Sequence, residues 1–271
     1  MTRDRLNLGG VPEHFNLPWH LAIESPACAE LDLHWEDQYG GTGEMLAKLA
    51  AGELDMVSIL TEGTVSAIAK GAALTILQVY VSSPLRWGIF VPAGSPYEEV
   101  SELDGARIAI SRFNSGSHLM AFILARAHGW TLTDDRFVLV GDLQGAIDSF
   151  AAGESELFLW DQYMTTPHVE AGRFRQIDTL ETPWPSFVIA ARNEVLTGRT
   201  TEVGRVVDAV VAQATALHDR PDIDRELARR YGLRSQTVRS WLDTTIFAPR
   251  EAMDPSIAQK VLDTLAEAGF N

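Results

Sequence analysis

The chain of 271 residues contains a single cysteine, Cys28. One cysteine excludes a disulfide framework and any metal site built from several thiolates. No apolar stretch reaches the roughly 18 residues that a membrane-spanning helix requires, so we expect no membrane span. The first ten residues lack the apolar segment and the cleavage site of a secretory signal. This predicts a cytoplasmic protein, or a periplasmic or cell-surface one if a leader peptide precedes the sequence.

Basic residues are scarce as well, since 22 Lys and Arg against 37 Asp and Glu give a formal net charge of −15. Nucleic acids and anionic membranes are bound through basic patches, so we expect neither as a partner. The histidines show no metal-ligand spacing such as His-Glu-x-x-His, and no phosphate-binding loop, dinucleotide fingerprint or nucleophile elbow appears. We therefore expect no bound metal, no cofactor and no catalytic residues of a known pattern.

What the sequence does contain is an approximate internal repeat. Ala50–Glu53 recurs as Ala151–Glu154, at an offset of about 101 residues. Further pairs match at the same offset, namely Leu46 with Ile147, Asp55 with Glu156, Ile59 with Trp160 and Gly71 with Gly172. A repeat of this length is typical of two related lobes rather than of a solenoid. A cleft between two lobes is where a small ligand is expected to bind.

Short apolar strands alternate with helical patterns along the chain, which predicts an α/β fold with mostly parallel sheets and right-handed connections. The first lobe is expected to be discontinuous, comprising residues 1–91 and 187–271 with the C-terminal helices. The second lobe is expected to cover residues 92–186. Two crossovers would join them, the first at Pro92–Pro96 after a connection that begins at Trp87–Val91.

Ligands of open parallel sheets bind beyond the carboxyl ends of the strands, so the residues that follow each predicted strand are the candidate site. In the first lobe they are Glu13, His14, Phe15, Gly41, Thr42, Thr61 and Glu62. In the second lobe they are Ser115, Gly116, Ser117, His118, Trp160 and Asp161. Trp184, an aromatic residue between two prolines near the return crossover, completes the predicted set.

Ser115–His118 is the sharpest of these features, because a glycine and hydroxyls at a helix start favour an anionic or carbonyl group. The alternative is an ordinary serine N-cap without a ligand. Gly40–Gly43 follows the same logic, although glycine turns are common.

The aromatic candidates also have two interpretations. Trp160 beside Asp161 suits a stacked ligand, yet an aromatic residue at a strand end is more often part of the core. Trp184 could equally pack at a hinge. Glu13 and His14 could bind a metal or transfer protons, but no second ligand cluster supports this, and we expect a surface or ligand-contacting histidine.

The order of these segments resembles a known superfamily. A strand, the loop Pro12–Asn16, a helix, a strand, Gly40–Thr42 and a helix ending in Leu49–Asp55 resemble the type II periplasmic-binding-protein-like superfamily. Within it the chain is most similar to the branch of nitrate, sulfonate and taurine binding proteins and thiamine pyrimidine precursor proteins. The resemblance covers roughly residues 5–195, and Leu49–Asp55 is its most characteristic piece.

The resemblance implies a small-molecule binding protein whose two lobes close over a ligand, with Ser115–Ser117 and Trp160–Asp161 in ligand-contacting loops. It also implies a transporter permease as a partner if the protein is exported. The cysteine-rich motif of the branch's pyrimidine synthases is missing. The alternatives are a cytoplasmic enzyme of the same fold, acting on a small aromatic or sulfur-containing metabolite, and a ligand-sensing partner of another protein.

Carboxylates outnumber bases at the predicted strand ends. The acidic candidates are Glu13, Glu62 and Asp161, the aromatic ones Phe15, Trp160 and Trp184, and the nearest bases Arg86 and Arg112. A carboxylate beside an aromatic ring suits a flat heterocycle with amino groups, held by stacking and charge-assisted hydrogen bonds. The sequence therefore predicts an amino-substituted heteroaromatic ligand, such as a thiamine pyrimidine precursor, rather than a simple inorganic anion.

Overall fold

The computed structural model describes residues 5–270; residues 1–4 and 271, the ends of the predicted first lobe, lie outside the described residues. The chain divides into two compact units. The first contains the described residues up to Pro84 together with Trp184–Asp263. The second contains Leu85–Pro183 together with the described residues from Thr264 onward.

The strands of the described residues are, in chain order, β1 (Leu6–Gly10), β2 (Leu33–Asp37), β3 (Met56–Leu60), β4 (Leu74–Val81), β5 (Arg86–Pro92), β6 (Ile108–Ile110), β7 (Phe137–Leu139), β8 (Leu157–Asp161), β9 (Phe174–Glu181) and β10 (Phe187–Arg192). The α-helices are α1 (Leu17–Ile23), α2 (Gly41–Ala51), α3 (Thr61–Ala69), α4 (Gly116–His128), α5 (Leu143–Ala152), α6 (Thr166–Glu170), α7 (Asn193–Thr215), α8 (Ile223–Tyr231), α9 (Ser235–Thr244) and α10 (Pro255–Glu267). Within residues 5–270, no helix combines the length and apolar character needed to cross a membrane.

Each unit is built on a five-stranded sheet of the same topology. The order is β2-β1-β3-β10-β4 in the first unit and β7-β6-β8-β5-β9 in the second. β10 is antiparallel to both of its neighbours, and β5 is antiparallel to both of its own. The other strands of each sheet run in one direction, as expected of an α/β fold with mostly parallel sheets.

The two sheets correspond residue by residue. In the first sheet Phe187 lies opposite Leu60, and in the second Trp87 lies opposite Asp161. Leu60 and Asp161 are equivalent at the offset of the sequence repeat, so the repeat of the sequence is also a repeat of the structure. Trp87 is therefore the counterpart of Phe187.

Two strands differ from the sequence-based expectation. Trp87–Val91, expected to begin a connection, lies within β5 in the middle of the second sheet. β9 was not expected at all, because Phe174–Glu181 alternates polar and apolar residues only weakly and forms an edge strand paired with β5 alone.

The helix ends carry the repeat as well. Gly52 ends α2 and Gly153 ends α5, both in the left-handed conformation that a C-cap glycine adopts without steric cost. Just beyond each glycine, a carboxylate accepts a backbone N–H from the neighbouring strand region, Asp55 from Asn7 at 2.8 Å and Glu156 from Arg107 at 3.0 Å. These two carboxylate-to-backbone hydrogen bonds hold the starts of β3 and β8 in the same way.

Apolar residues of the sheets and the covering helices form a core in each unit. In the first unit, Met45 and Leu49 of α2 pack against Val57 and Ile59 of β3. In the second unit, Ala146 and Phe150 of α5 pack against a set of sheet residues, namely Phe90, Ala109, Phe158 and Phe174. The carboxyl ends of the parallel strands lie at one edge of each sheet, because these strands run in the same direction.

Candidate ligand-binding site

The predicted residues of the first unit do lie beyond the carboxyl ends of β1, β2 and β3. Glu13, His14 and Phe15 follow β1 and are buried, whereas Gly41 and Thr42 at the start of α2 are half-buried. These positions share one edge of the sheet because the three strands are parallel.

Thr61 and Glu62 open α3 and hold the segment that precedes β10. The Trp184 indole nitrogen donates a hydrogen bond of 3.0 Å to the Glu62 carboxylate. The Thr61 hydroxyl donates a hydrogen bond to the Pro185 carbonyl at 2.6 Å. The backbone N–H of Thr61 donates to the Ser186 carbonyl at 3.1 Å. Burial raises the pKa of Glu62, while the indole donor opposes that rise. Trp184 is 3% exposed, so its ring is mostly covered by protein.

His14 is a core residue rather than a surface one. Its ring lies fully buried against Phe15 and meets the Trp241 ring edge-on, with centroids 4.5 Å apart. Burial lowers the pKa of His14 to about 3, so the imidazole is neutral at physiological pH. Of the two alternatives expected for His14, a surface or a ligand-contacting histidine, the surface position is wrong, because the Phe15 and Trp241 rings cover the imidazole.

The start of α2 and the start of α3 touch each other. A Cβ at Gly63 would lie 2.4 Å from Cγ2 of Thr42, closer than real side chains approach. A side chain at position 63 would force Thr42 to shift, so glycine lets the two helix starts approach this closely. The N-cap of α2 is Gly40, within the predicted glycine turn Gly40–Gly43.

In the second unit, Ser115 is the N-cap of α4, which begins where the sequence predicts a helix start. Its hydroxyl accepts the backbone N–H of His118 at 3.3 Å. The Ser117 hydroxyl is 3.1 Å from that of Ser115 and accepts the Ser111 N–H at 3.0 Å. The backbone N–H groups of Gly116 and Ser117 make no hydrogen bond to any described residue, as the first donors of a helix do not. These two donors are available to a ligand.

His118 supports the loop in front of α4. Its Nδ1 accepts the backbone N–H of Asn114 at 3.1 Å, so the ring proton lies on Nε2. Asn114 has a positive φ of 61°, a conformation uncommon outside glycine. Burial among aromatic rings, including Phe137 at 4.6 Å and Phe270 at 4.7 Å between centroids, lowers the pKa of His118 to about 4. The imidazole is thus a neutral hydrogen-bond acceptor that fixes the loop.

Asp161 ends β8 and turns the chain toward α6. Its Oδ1 accepts the backbone N–H groups of Tyr163 at 2.9 Å and Met164 at 2.7 Å. Its Oδ2 is buried without a hydrogen-bond partner among the described residues. Burial raises the pKa of Asp161 to about 6, against the opposing effect of the two N–H donors.

Trp160 and Asp161 lie on opposite faces of the sheet, because successive strand residues alternate. The Trp160 ring stacks on Phe158 at 5.3 Å between centroids, beside the core formed with α5. The aromatic residue opposite Asp161 is instead Trp87, which the sequence reasoning missed. The sequence does indicate this position, because Trp87, Ile89 and Val91 are alternate residues of a strand and therefore share one face of the sheet.

The remaining predicted groups are distributed as follows. Arg86 is engaged with Glu181 at 2.6 Å, whereas Arg112 lies exposed in the loop before α4. Among residues 5–270, no group of three or more His, Cys, Asp or Glu side chains is placed to hold a metal ion. Within the second unit, the structure brings the start of α4 and the end of β8 to the same edge of the sheet.

Comparison with known proteins adds four likenesses. A family profile described as “Ca3427-like PBP” matches residues 87–180, which lie in the second unit. An Escherichia coli (strain K12) relative named “Putative aliphatic sulfonates-binding protein” is 26% identical over 249 residues, covering 88% of this chain and 75% of the relative. The solved structure of the Candida albicans CA3427 gene product is 26% identical, with a TM-score of 0.90 over 99% of this chain and 91% of that one.

The Candida albicans protein is described as defining a new family with the generic periplasmic binding protein fold. The alkanesulfonate-binding protein SsuA from Xanthomonas axonopodis pv. citri, bound to MOPS, has a TM-score of 0.82. It covers 98% of this chain and 93% of its own, at 20% identity, a level that shows the fold alone. These likenesses confirm the fold class predicted from the sequence.

Proposed function

We propose that this chain binds a small organic sulfonate, because it belongs to the nitrate and sulfonate branch of the type II periplasmic-binding-protein-like superfamily. It is a solute-binding protein of that fold. The start of α4 supports this proposal most directly. There, the unpartnered N–H groups of Gly116 and Ser117 point out of a helix of 13 residues. A helix N-terminus with free donors is a favourable place for an anionic group.

The three oxygens of a sulfonate match this arrangement of donors. Two oxygens can accept the Gly116 and Ser117 N–H groups, while the half-buried Ser111 hydroxyl lies in the same loop. The Ser117 hydroxyl is engaged with Ser111 and Ser115, so it organises the loop rather than reaching the ligand. His118 acts through Asn114 in the same manner.

The amino-substituted heteroaromatic ligand expected from the sequence stays a prediction without support from the comparisons. Its basis was an aromatic ring beside each carboxylate. Trp184 has its indole N–H on Glu62 and is 3% exposed, and Trp160 lies on the opposite face from Asp161. The relatives' names mention sulfonates and no pyrimidine. The sulfonate is therefore the better-supported class.

The comparisons also bear on where the protein acts. Two further solved structures with this fold are described as a periplasmic aliphatic sulphonate binding protein and as the ligand-binding component of an ABC-type import system, and no comparison supports the cytoplasmic expectation. We propose that this chain delivers its sulfonate to a membrane permease outside the cytoplasm. Co-purification of a permease with the loaded protein, but not with the empty one, is the expected outcome.

The ligand proposal is tested by removing one N–H donor without disturbing the helix. Gly116 is the first residue of α4, where proline is well tolerated, and Ser115 has the extended backbone (φ −89°, ψ 170°) that a following proline favours. Gly116→Pro deletes the N–H, whereas the matched control Gly116→Ala keeps it. Calorimetry with ethanesulfonate, nitrate and a 4-amino-pyrimidine is the measurement.

We expect ethanesulfonate to bind the wild type, and Gly116→Pro to weaken it about tenfold or more relative to Gly116→Ala. Both variants are expected to unfold within about 1 kcal/mol of each other. Binding of the pyrimidine but of no sulfonate would contradict the proposal. Equal affinity of the proline and alanine variants would show that the anion does not bind at the start of α4.

A further inference from the structure

Two polar atoms on the neighbouring strands β5 and β8 are buried without any hydrogen-bond partner among the described residues. One is a donor, the indole Nε1 of Trp87, and the other is an acceptor, Oδ2 of Asp161. The two residues are only 6% and 9% exposed, respectively. Buried polar atoms are nearly always paired, so each of these needs an explanation.

The register of the sheet places the two residues side by side. Trp87 of β5 lies directly opposite Asp161 of β8 in an antiparallel pair. Residues in that relationship project from the same face and are nearest neighbours across the strands. No hydrogen bond joins the two side chains in spite of this proximity. Two neighbouring residues on one face of the sheet therefore each carry a buried polar atom without a partner among the described residues.

The internal repeat shows that the fold does not require this polar pair. The equivalent position of the first sheet holds Phe187 opposite Leu60, two apolar residues. The same framework is thus built with or without polar atoms at this register. In the second unit, the donor and the acceptor are an addition to the framework, and they are paired only if a third group joins them.

The structural role of Asp161 uses only one of its two carboxylate oxygens. Its Oδ1 alone accepts the Tyr163 and Met164 N–H groups that shape the following turn. An asparagine would serve that purpose equally well. The second carboxylate oxygen has no role in holding the chain.

The pair shares a face and an edge of the sheet with the start of α4. The connections β6–α4–β7 and β7–α5–β8 cross the sheet in opposite directions, so right-handed crossovers place α4 and α5 on opposite faces. α5 packs on the face of Phe158. α4 therefore covers the face of Asp161 and packs against β8, with its free N–H groups at the carboxyl edge.

We propose that Trp87 and Asp161 form a subsite for a hydroxyl group of the ligand. A hydroxyl oxygen accepts the Trp87 indole N–H, and its own proton is donated to Oδ2 of Asp161. An ammonium group would pair with Asp161 but leave the indole donor unsatisfied, and an alkyl group would leave both unsatisfied. The subsite rests on the proposed function, in which the sulfonate end of the same molecule binds at α4. The ligand class is then a small hydroxyalkanesulfonate.

The experiment compares ligands that differ only in the group at the far end. Calorimetry at pH 8 measures ethanesulfonate, 2-hydroxyethanesulfonate, 3-hydroxypropanesulfonate and 2-aminoethanesulfonate. We expect the wild type to bind one of the hydroxylated compounds at least about tenfold more tightly than ethanesulfonate. Trp87→Phe and Asp161→Asn should each reduce this preference to about threefold or less.

Trp19→Phe is the matched control, because Trp19 of the first unit also has a buried indole nitrogen without a hydrogen-bond partner but is not paired with a carboxylate in a strand register. It should keep the full hydroxyl preference. Equal binding of ethanesulfonate and both hydroxylated compounds would overturn the subsite and leave the proposed function standing. Preference for the amino compound would overturn the hydroxyl subsite and show that an ammonium group binds there. If no sulfonate binds, both the subsite and the proposed function fall.

Discussion

The Trp184 indole nitrogen donates a hydrogen bond to the buried Glu62 carboxylate at 3.0 Å. Glu62 lies in the first turn of α3, and Trp184 is the first residue of the chain after it returns to the first unit. Together with the bonds from Thr61 to Pro185 and Ser186, this contact fastens the returning segment to the start of a helix. The hydrogen bond that holds the returning segment therefore involves a buried ionisable group.

We predict that Trp184→Phe destabilises the protein more at pH 8 than at pH 4. Loss of the donor leaves the Glu62 carboxylate less compensated, at a cost of about 1–3 kcal/mol. The pKa of Glu62 is already raised by burial, so its ionised form opposes folding at high pH, and this cost disappears as the pH falls below the unfolded value near 4.5. Urea unfolding at pH 8 and pH 4 measures the difference.

Trp19→Phe serves as the control for this prediction too, because the buried Trp19 indole nitrogen makes no hydrogen bond to the described residues. Its loss of stability should not depend on pH. A Trp184→Phe variant that loses the same free energy at both pH values would show that the bond to Glu62 does not depend on the carboxylate charge.

Asp161→Asn is expected to stabilise the protein at pH 8. The folded-state pKa of Asp161 is raised from 3.8 to about 6. Its ionisation therefore costs folding free energy on the order of 2–3 kcal/mol above pH 6, and this cost fades as the pH falls toward 4. Asparagine retains the acceptor for Tyr163 and Met164 without the charge. Denaturation from pH 4 to 8 should show a gain that grows with pH; a constant difference would refute the assignment.

Gly63→Ala should destabilise the first unit by about 1–3 kcal/mol, because the new methyl group would collide with Cγ2 of Thr42. Thr42→Ser removes that methyl carbon and keeps the hydroxyl. The double variant Thr42→Ser with Gly63→Ala should recover most of the loss, while Thr42→Ser alone stays close to the wild type. A double-mutant cycle by chemical denaturation measures the coupling, and additive effects would contradict the collision.

The two repeated C-cap glycines should tolerate substitution equally poorly. Gly52 has φ 77° and Gly153 has φ 69°, so alanine at either position costs about 1 kcal/mol. Gly94 is the control, since it lies outside the positive-φ region and a Cβ there meets nothing within 4 Å. Thermal unfolding of the three alanine variants measures the effect. Equal stability of all three would show that the helix ends are not strained by a side chain.

The sequence predicted the framework better than the site. The repeat of Ala50–Glu53 and Ala151–Glu154 located both α2 and α5 and the strands after them, because helix caps and buried strands are encoded locally. β5 was missed because its role as a central strand depends on its neighbours in space. For the same reason Trp160 was paired with Asp161 from adjacency in sequence, whereas the cross-strand register pairs Asp161 with Trp87.

The order of strands in the first sheet has a consequence for synthesis on the ribosome. β4 attaches to the sheet only through β10, which lies between β3 and β4. β10 emerges only after the whole stretch Leu85–Pro183 of the second unit has been translated. The apolar edge of β3 and the strand β4 are therefore both left without their neighbour during that interval. Such unpaired edges invite aggregation, so the first sheet is exposed to that hazard until the second unit has been synthesised.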